Sequence, residues 1–481
     1  MVAVSTSCKK DWLKPAPENT LISSDSTFFK PANAEKFVNA CYNWTITWGE
    51  SVFSWIGVSS ITSDDADKGS DPGDLGTDKD QMDALTYGPT SLSPKEVWDA
   101  NYTGIGRCNQ AIDKVPTFTG LDPALATRYV GEAKFLRAYF YFNLVRCFGN
   151  VPKIDRVYTS EETAQIYEDF ASRPSSEIYA LIEQDLRDAA AVLPLKNAYS
   201  AKDVGRATKG AAQGLLAKVL MYEKKWADCL ATCNDVINSN QYGLEPDYAK
   251  IWRQSNEHGI ESLFEIEGQN GNEGWGIGGY YSTQGPRGII TDGYDGWGFN
   301  TPSEDLINAY EPGDVRKAAT IYSVGDVLWD GAKLESASNQ HYNYKAYVSK
   351  TKETNYDSWS SGKNIRVLRF GEILLIKAEA ANELGSTADA VVELNKIRKR
   401  AGLANTTASS QADVRNAIWK ERRVELAMEH DRFFDLVRQG RAGQVMRAHG
   451  KNFVDGKNEL FPIPQEQISL SKGAIKQNPG Y

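Results

Sequence analysis

At 481 residues, with 54 basic against 63 acidic side chains and a net charge of −9, the chain can bury a large core, and it has no long Lys/Arg run for reading nucleic-acid phosphates. Hydrophobic residues make up 41%, and no segment approaches the ~18 consecutive apolar residues of a membrane span, which predicts a globular body. Aromatic residues reach 11%, with 12 Trp and 23 Tyr, which is generous for a helix-rich chain and assigns some rings to a surface.

In chain order, Cys8 comes first: it follows Ser5, Thr6 and Ser7 and precedes Lys9-Lys10-Asp11, as at the end of a bacterial lipoprotein signal. Residues 1–8 are read as the remnant of such a signal, with Cys8 acylated. Trp44, Trp48 and Trp55 follow helical spacing and are assigned to the core, leaving Asn43 on the opposite side, free to join a site. From Ser59 to Gln81 the chain is polar and acidic. It reads as a solvated loop whose Asp64, Asp65 and Asp67 accept ligand hydroxyls or hold Ca²⁺, although the spacing is not an EF-hand. Trp98, Tyr102, Ile105 and Asn109 share a helix face and are assigned to packing.

Three long segments carry the 3.6-residue apolar period. The first runs from Arg128 to Phe148 and stops at Gly149. The second starts near Ala207 and pairs two helices around a turn at Glu223–Lys225; its Cys229 and Cys233 read as small buried hydrophobes. The third, from Arg369, breaks at Gly385 and Gly402. Small residues such as Ala217, Ala378 and Ala381 sit where helices must approach closely, as in tetratricopeptide pairs separated by insertions. Between the second and third segments, 256–364 is rich in Gly, Tyr, Trp, Asn and Ser without a helical period, and a loop of that length in a compact protein is usually functional. In Glu421–Arg441 apolar positions alternate with acids and bases, which reads as a structural network of helical ion pairs.

Six pieces resemble the SusD/RagB family in the family's order: CKKDWL at Cys8, WDANYTGIGRCNQAID at Trp98, GEAKFLRAYFYFNLVRCFGNVP at Gly131, RFGEILLIKAEAANELG at Arg369, ERRVELAMEHDRFFDLVRQGR at Glu421, and LFPIPQEQI followed by the terminal QNPGY. The resemblance implies a mostly α fold, with tetratricopeptide-like helix pairs as scaffold under long irregular loops. It implies one domain over 9–481, with 128–255 and 365–440 as helical scaffold and 256–364 as the insertion. It further implies a lipid anchor on Cys8 in the outer membrane at the cell surface, and a role in passing oligosaccharide or polysaccharide to a SusC-like TonB-dependent transporter.

No motif for catalysis stands out. The four histidines, His258, His341, His430 and His449, form no H-E-x-x-H, and there is no G-x-S-x-G elbow; no metal or cofactor is called for. A glycoside hydrolase, which needs only two carboxylates, and a peptide-binding helical scaffold are the rival readings. A sugar binder stacks apolar ring faces on Trp or Tyr and meets hydroxyls with Asn, Asp and Arg. Trp275, Tyr280, Tyr281 and Trp297 are the leading stacking candidates because glycines flank them, with Trp329 and Trp359 next. Asn43, Asp67 and Arg369 are the polar candidates. Arg369 opens a helix where the dipole disfavours a cation, so either Glu372 or a sugar hydroxyl holds it.

Overall fold

The computed structural model describes residues 30–71, 74, 77–158, 169–268, 277–353 and 361–481. Its scaffold is helical: α1 (Pro31–Asn43), α2 (Leu92–Lys114), α3 (Pro123–Phe148), α4 (Ser175–Val192), α5 (Lys209–Tyr222) and α6 (Trp226–Asn238). After the Gly-rich stretch, which contributes the short α7 (Gly278–Gln284), come α8 (Phe370–Glu383), α9 (Thr387–Arg400), α10 (Gln411–Glu425) and α11 (Arg432–Arg438). Local chemistry sets the ends. Asp122 caps α3 by accepting the Ala124 amide at 2.8 Å, with Pro123 at the first position. Gly149 ends it with φ +69°, and Gly385 and Gly402 break the later helices in the same left-handed region.

Helices pack as successive antiparallel neighbours, α2 on α3, α3 on α4, α5 on α6, α8 on α9, with α8 also touching α6 and α10. Small residues allow the approach. A Cβ on Gly104 would meet the Phe140 ring at 2.7 Å, and one on Gly214 would meet Leu263 at 2.6 Å and Leu368 at 2.8 Å. Trp98 and Ile105 are buried in this core, as expected, and the Tyr102 hydroxyl donates to the Pro152 carbonyl at 2.8 Å. The terminal turn is pinned by Asn478, whose side-chain amide donates to the carbonyls of Phe148 and Phe461.

Among the short strands of the described residues, four fasten the irregular part to the rest: β1 (Ala66–Gly69), β2 (Ser262–Ile266), β3 (Phe299–Pro302) and β4 (Ile365–Arg369). β2 and β4 pair antiparallel, Ile266 opposite Ile365, so the Gly-rich segment leaves and re-enters the scaffold through one two-stranded neck. β1 and β3 pair with Asp67 opposite Thr301 and Gly69 opposite Phe299. The two irregular stretches, far apart in sequence, are thereby fastened together.

Candidate functional site

Most of the acidic stretch is buried rather than solvated, which corrects the expectation. Asp64 takes both Arg432 (2.7 and 2.8 Å) and Arg423 (3.0 Å), and Asp65 takes Arg423 at 2.6 Å. Burial alone would raise the Asp64 carboxyl, but the Arg432 and Arg423 guanidiniums outweigh it and hold it at about 2. Neither group is left to bind calcium. Of the three candidate aspartates only Asp67 projects outward, with its side chain 53% exposed and 3.7 Å from His449.

Arg369 is likewise spent inside. It stands at the end of β4 in extended backbone, φ −139°, rather than within the helix, so its side chain crosses to other elements. It bonds Glu261 at 2.8 Å, Glu425 at 2.5 Å and Glu429 at 2.8 Å. Glu372, the expected partner, belongs to Arg422 (2.6 Å) and Lys218 (3.1 Å). Burial would raise the Glu425 carboxyl, yet Arg400, Arg369 and Arg316 hold it well below the carboxylate range. The Glu421–Arg441 charges therefore do form a structural network, but chiefly between elements; Arg438 with Asp435 is an i,i+3 exception.

The leading rings separate. Tyr280 and Tyr281, on α7, are buried, with no face for a sugar: the Tyr281 hydroxyl donates to the carbonyls of Lys363 (3.0 Å) and Asn364 (2.9 Å), and that of Tyr280 lies 3.2 Å from His430 Nε2. Glycine beside an aromatic signals close packing here, not an uncovered ring. Trp275, Trp359 and Cys8 lie outside the described residues. Trp297 is part-exposed and joins a ring cluster absent from the sequence expectation, 6.0 Å from Trp48 and 6.0 Å from Phe53, which is 4.7 Å from Phe299. Trp48 was assigned to the core on helical spacing, but α1 ends at Asn43 and Trp48 follows in a turn, so it too is part-exposed; Trp55 is core.

Two glycine contacts set the height of this platform. The Trp297 amide donates to Ser282 O at 2.8 Å and that of Gly298 to Gly285 O at 2.8 Å, laying the strand on the end of α7. A Cβ on Gly296 would meet Gly285 Cα and Ser282 O at 2.6 Å. Beneath, Lys79 Nζ sits 4.0 Å from the Phe53 ring and bonds Asp78 and Ser93, so its charge is neutralised inside.

Asn43 lines a neighbouring cleft of about 580 Å³ between α1 and the neck, with Lys36, Asn39 and Tyr42 on one wall and Glu265, Glu267 and Gly268 on the other. The five residues from Asn43 to Trp48 span at most about 18 Å fully extended, which bounds the distance from the cleft's Asn43 to the platform's Trp48. Behind the neck, Glu257 is pushed up to about 7 by burial; it accepts the Asn364 amide at 2.7 Å and is not among the groups lining the cleft. Trp329 stands elsewhere on the insertion, 43% exposed, with the Arg253 guanidinium 4.7 Å from its ring. The arrangement offers a ring platform beside a polar cleft, suited to holding a polyol.

Known proteins share this architecture. Residues 12–221 match a family described as starch-binding and associating with the outer membrane, and 329–481 match the SusD family. A laminarin-binding SusD-like protein superposes with a TM-score of 0.80 at 30% identity, covering 94% of this chain and 100% of the other. Surface glycan-binding protein A from Bacteroides fluxus gives 0.79 at 27% identity, covering 94% and 99%. SusD-like protein P2 of Formosa agariphila is 27% identical over 497 residues, 96% of this chain and 95% of its own length.

Proposed function

The chain belongs to the SusD/RagB family, and from that membership we propose that it is a cell-surface glycan-binding protein that captures oligosaccharides and does no chemistry on them. The observation that carries the reading is the part-exposed Trp48–Phe53–Trp297 platform beside a polar cleft, on a rigid helical scaffold. Its similarity to a laminarin-binding relative makes laminarin and its oligosaccharides the first ligands to try. Within this reading, residues 9–481 work as one domain, Cys8 carries the lipid anchor in the outer membrane, and the captured chain passes to a SusC-like TonB-dependent transporter.

Incubation with laminarin and starch oligosaccharides separates binder from hydrolase: the sugar is retained intact, with no reducing ends released. Released reducing ends would make the protein an enzyme. For the anchor, Cys8→Ala should move the protein from the membrane to the soluble fraction when the transporter is absent, whereas a variant that still pellets would refute acylation there. Isolation from native membranes in mild detergent should bring a TonB-dependent β-barrel with it, and recovery of the protein alone would count against the delivery role.

A further inference from the structure

We propose that the cleft between α1 and the insertion's neck is a second sugar subsite, built for uncharged units of the same chain that stacks on Trp297; it rests on the glycan-binding reading. One wall is a row on a single face of α1. Lys36, Asn39 and Asn43 fall at i, i+3 and i+7, all exposed, and all line the cleft. Asn39 is anchored by Arg206 at 2.9 Å, whereas the Lys36 ammonium and the Asn43 side-chain amide have no protein partner among the described residues. These groups are donors held at fixed spacing with nothing to bond.

The facing wall is made of acceptors. Glu267 has its side chain 46% exposed and Glu265 is buried behind it. Both are oriented from the rear: Asn364 donates to Glu265 at 2.9 Å and to Glu267 at 3.3 Å, and His258 lies 3.3 Å from Glu267. Tyr42, Ile46 and Phe264 add apolar surface to the lining. Tyr42 spends its hydroxyl on Glu132 (2.9 Å) and on the Ala207 amide (2.9 Å), so it offers the cleft ring rather than a polar tip. Donors on one side, carboxylates on the other and apolar rings in the lining match a polyol with a hydrophobic face.

The same wall sets the charge of the ligand. Two carboxylates line the cleft against one ammonium, Lys36, and Asp67, Asp292 and Asp295 are exposed on β1 and in the loop before Trp297. Arg366 stands 3.7 Å from Glu265 and His258 3.3 Å from Glu267, so a uronate or sulfated unit would chiefly face the half-exposed Glu267 carboxylate, whereas a neutral unit accepts from Lys36 and Asn43 and donates to Glu267 without that penalty. Glu265 and Glu267, held from the rear, and Asn39, held by Arg206, lower the ordering cost of binding.

The test is titration calorimetry on the full chain with neutral probes, laminarin and starch oligosaccharides, and with alginate oligosaccharides of matched length as the carboxylated probe. The expected result is binding of a neutral probe at least tenfold tighter than alginate. Lys36→Ala combined with Asn43→Ala should weaken the neutral probe about five- to tenfold at an unchanged melting temperature, since both side chains are exposed and unpartnered. Glu267→Gln should narrow the gap between the two probes. If Trp297→Ala weakens binding while the double variant does not, the platform stands and the cleft subsite is overturned. Wild-type preference for alginate, or a gap unchanged in Glu267→Gln, overturns the charge selection; wild-type protein that binds no neutral probe overturns the subsite together with the glycan-binding reading.

Discussion

The helices from α8 to α11 and the face formed by α1 with the neck are both crowded with charged and amide side chains, yet they use them in opposite ways. Around α8–α11 the large buried cations are consumed: Arg369, Arg316 and Arg422 are among the largest fully buried side chains, and each is met by more than one carboxylate. Along α1, Lys36 and Asn43 are exposed and have no protein partner among the described residues. A residue type alone does not mark a binding group; what marks it is whether the fold has already used it. Buried charge of the first kind is costly to remove singly and inert toward ligands, while the second kind is cheap to remove and decisive for them.

The contrast breaks most visibly at Arg369. Arg369→Ala strips the cation from Glu261, Glu425 and Glu429 at once, and a loss of about 3–5 kcal/mol is expected in urea unfolding, with any loss of sugar affinity following from the loss of fold. Trp98→Ala, in the core between helices, should cost about 3–5 kcal/mol by the same measurement. Gly296→Ala lies between the two regimes. Its new Cβ would collide with Gly285 and Ser282, so the platform must shift, and a stability cost of roughly 1–3 kcal/mol should come with weakened binding.

The smallest effect concerns His449, which bonds Asp305 at 2.6 Å and faces Asp67 at 3.7 Å. The contact with Asp67, and then that with Asp305, raises its pKa against partial burial and the nearby Lys451. A raised folded pKa means the contribution is fully present below the unfolded value, about 6.5, and fades as pH climbs through the folded one. Both acids are more than half exposed, so less than about 1 kcal/mol is at stake. Thermal melts from pH 5 to 9 should show this decline in the wild type, a smaller one in Asp305→Asn, and none from this site when Asp67→Asn is added.

The scaffold was legible in sequence because its signals are local. The 3.6-residue period and the breaks at Gly149, Gly385 and Gly402 each act within a few residues and are found where the pattern put them, although the first helix begins at Pro123 rather than at Arg128. The site was legible only in part, because whether a group is spent depends on partners remote in sequence. Spacing joined Arg369 to Glu372, but the extended backbone at Arg369 sends its side chain to Glu261 and Glu425. Trp48 looked like core because the helix was assumed to continue past Asn43. Of the candidate rings Trp297 is part-exposed, whereas Tyr280 and Tyr281 are buried, and the pairing of β1 with β3 next to Trp297 is a long-range contact that no local window contains.

The central claim is that the Trp48–Phe53–Trp297 platform carries sugar affinity without carrying the fold. Removing a stacked ring forfeits burial of about 100 Å² of apolar surface, roughly 2.5 kcal/mol at ~25 cal/mol per Å² before ordering costs, for a net of about 1–2 kcal/mol. Trp297→Ala is therefore expected to weaken laminarin-oligosaccharide binding about tenfold in titration calorimetry, with the melting temperature close to the wild type. Unchanged affinity in a variant that is folded as the wild type would contradict the account.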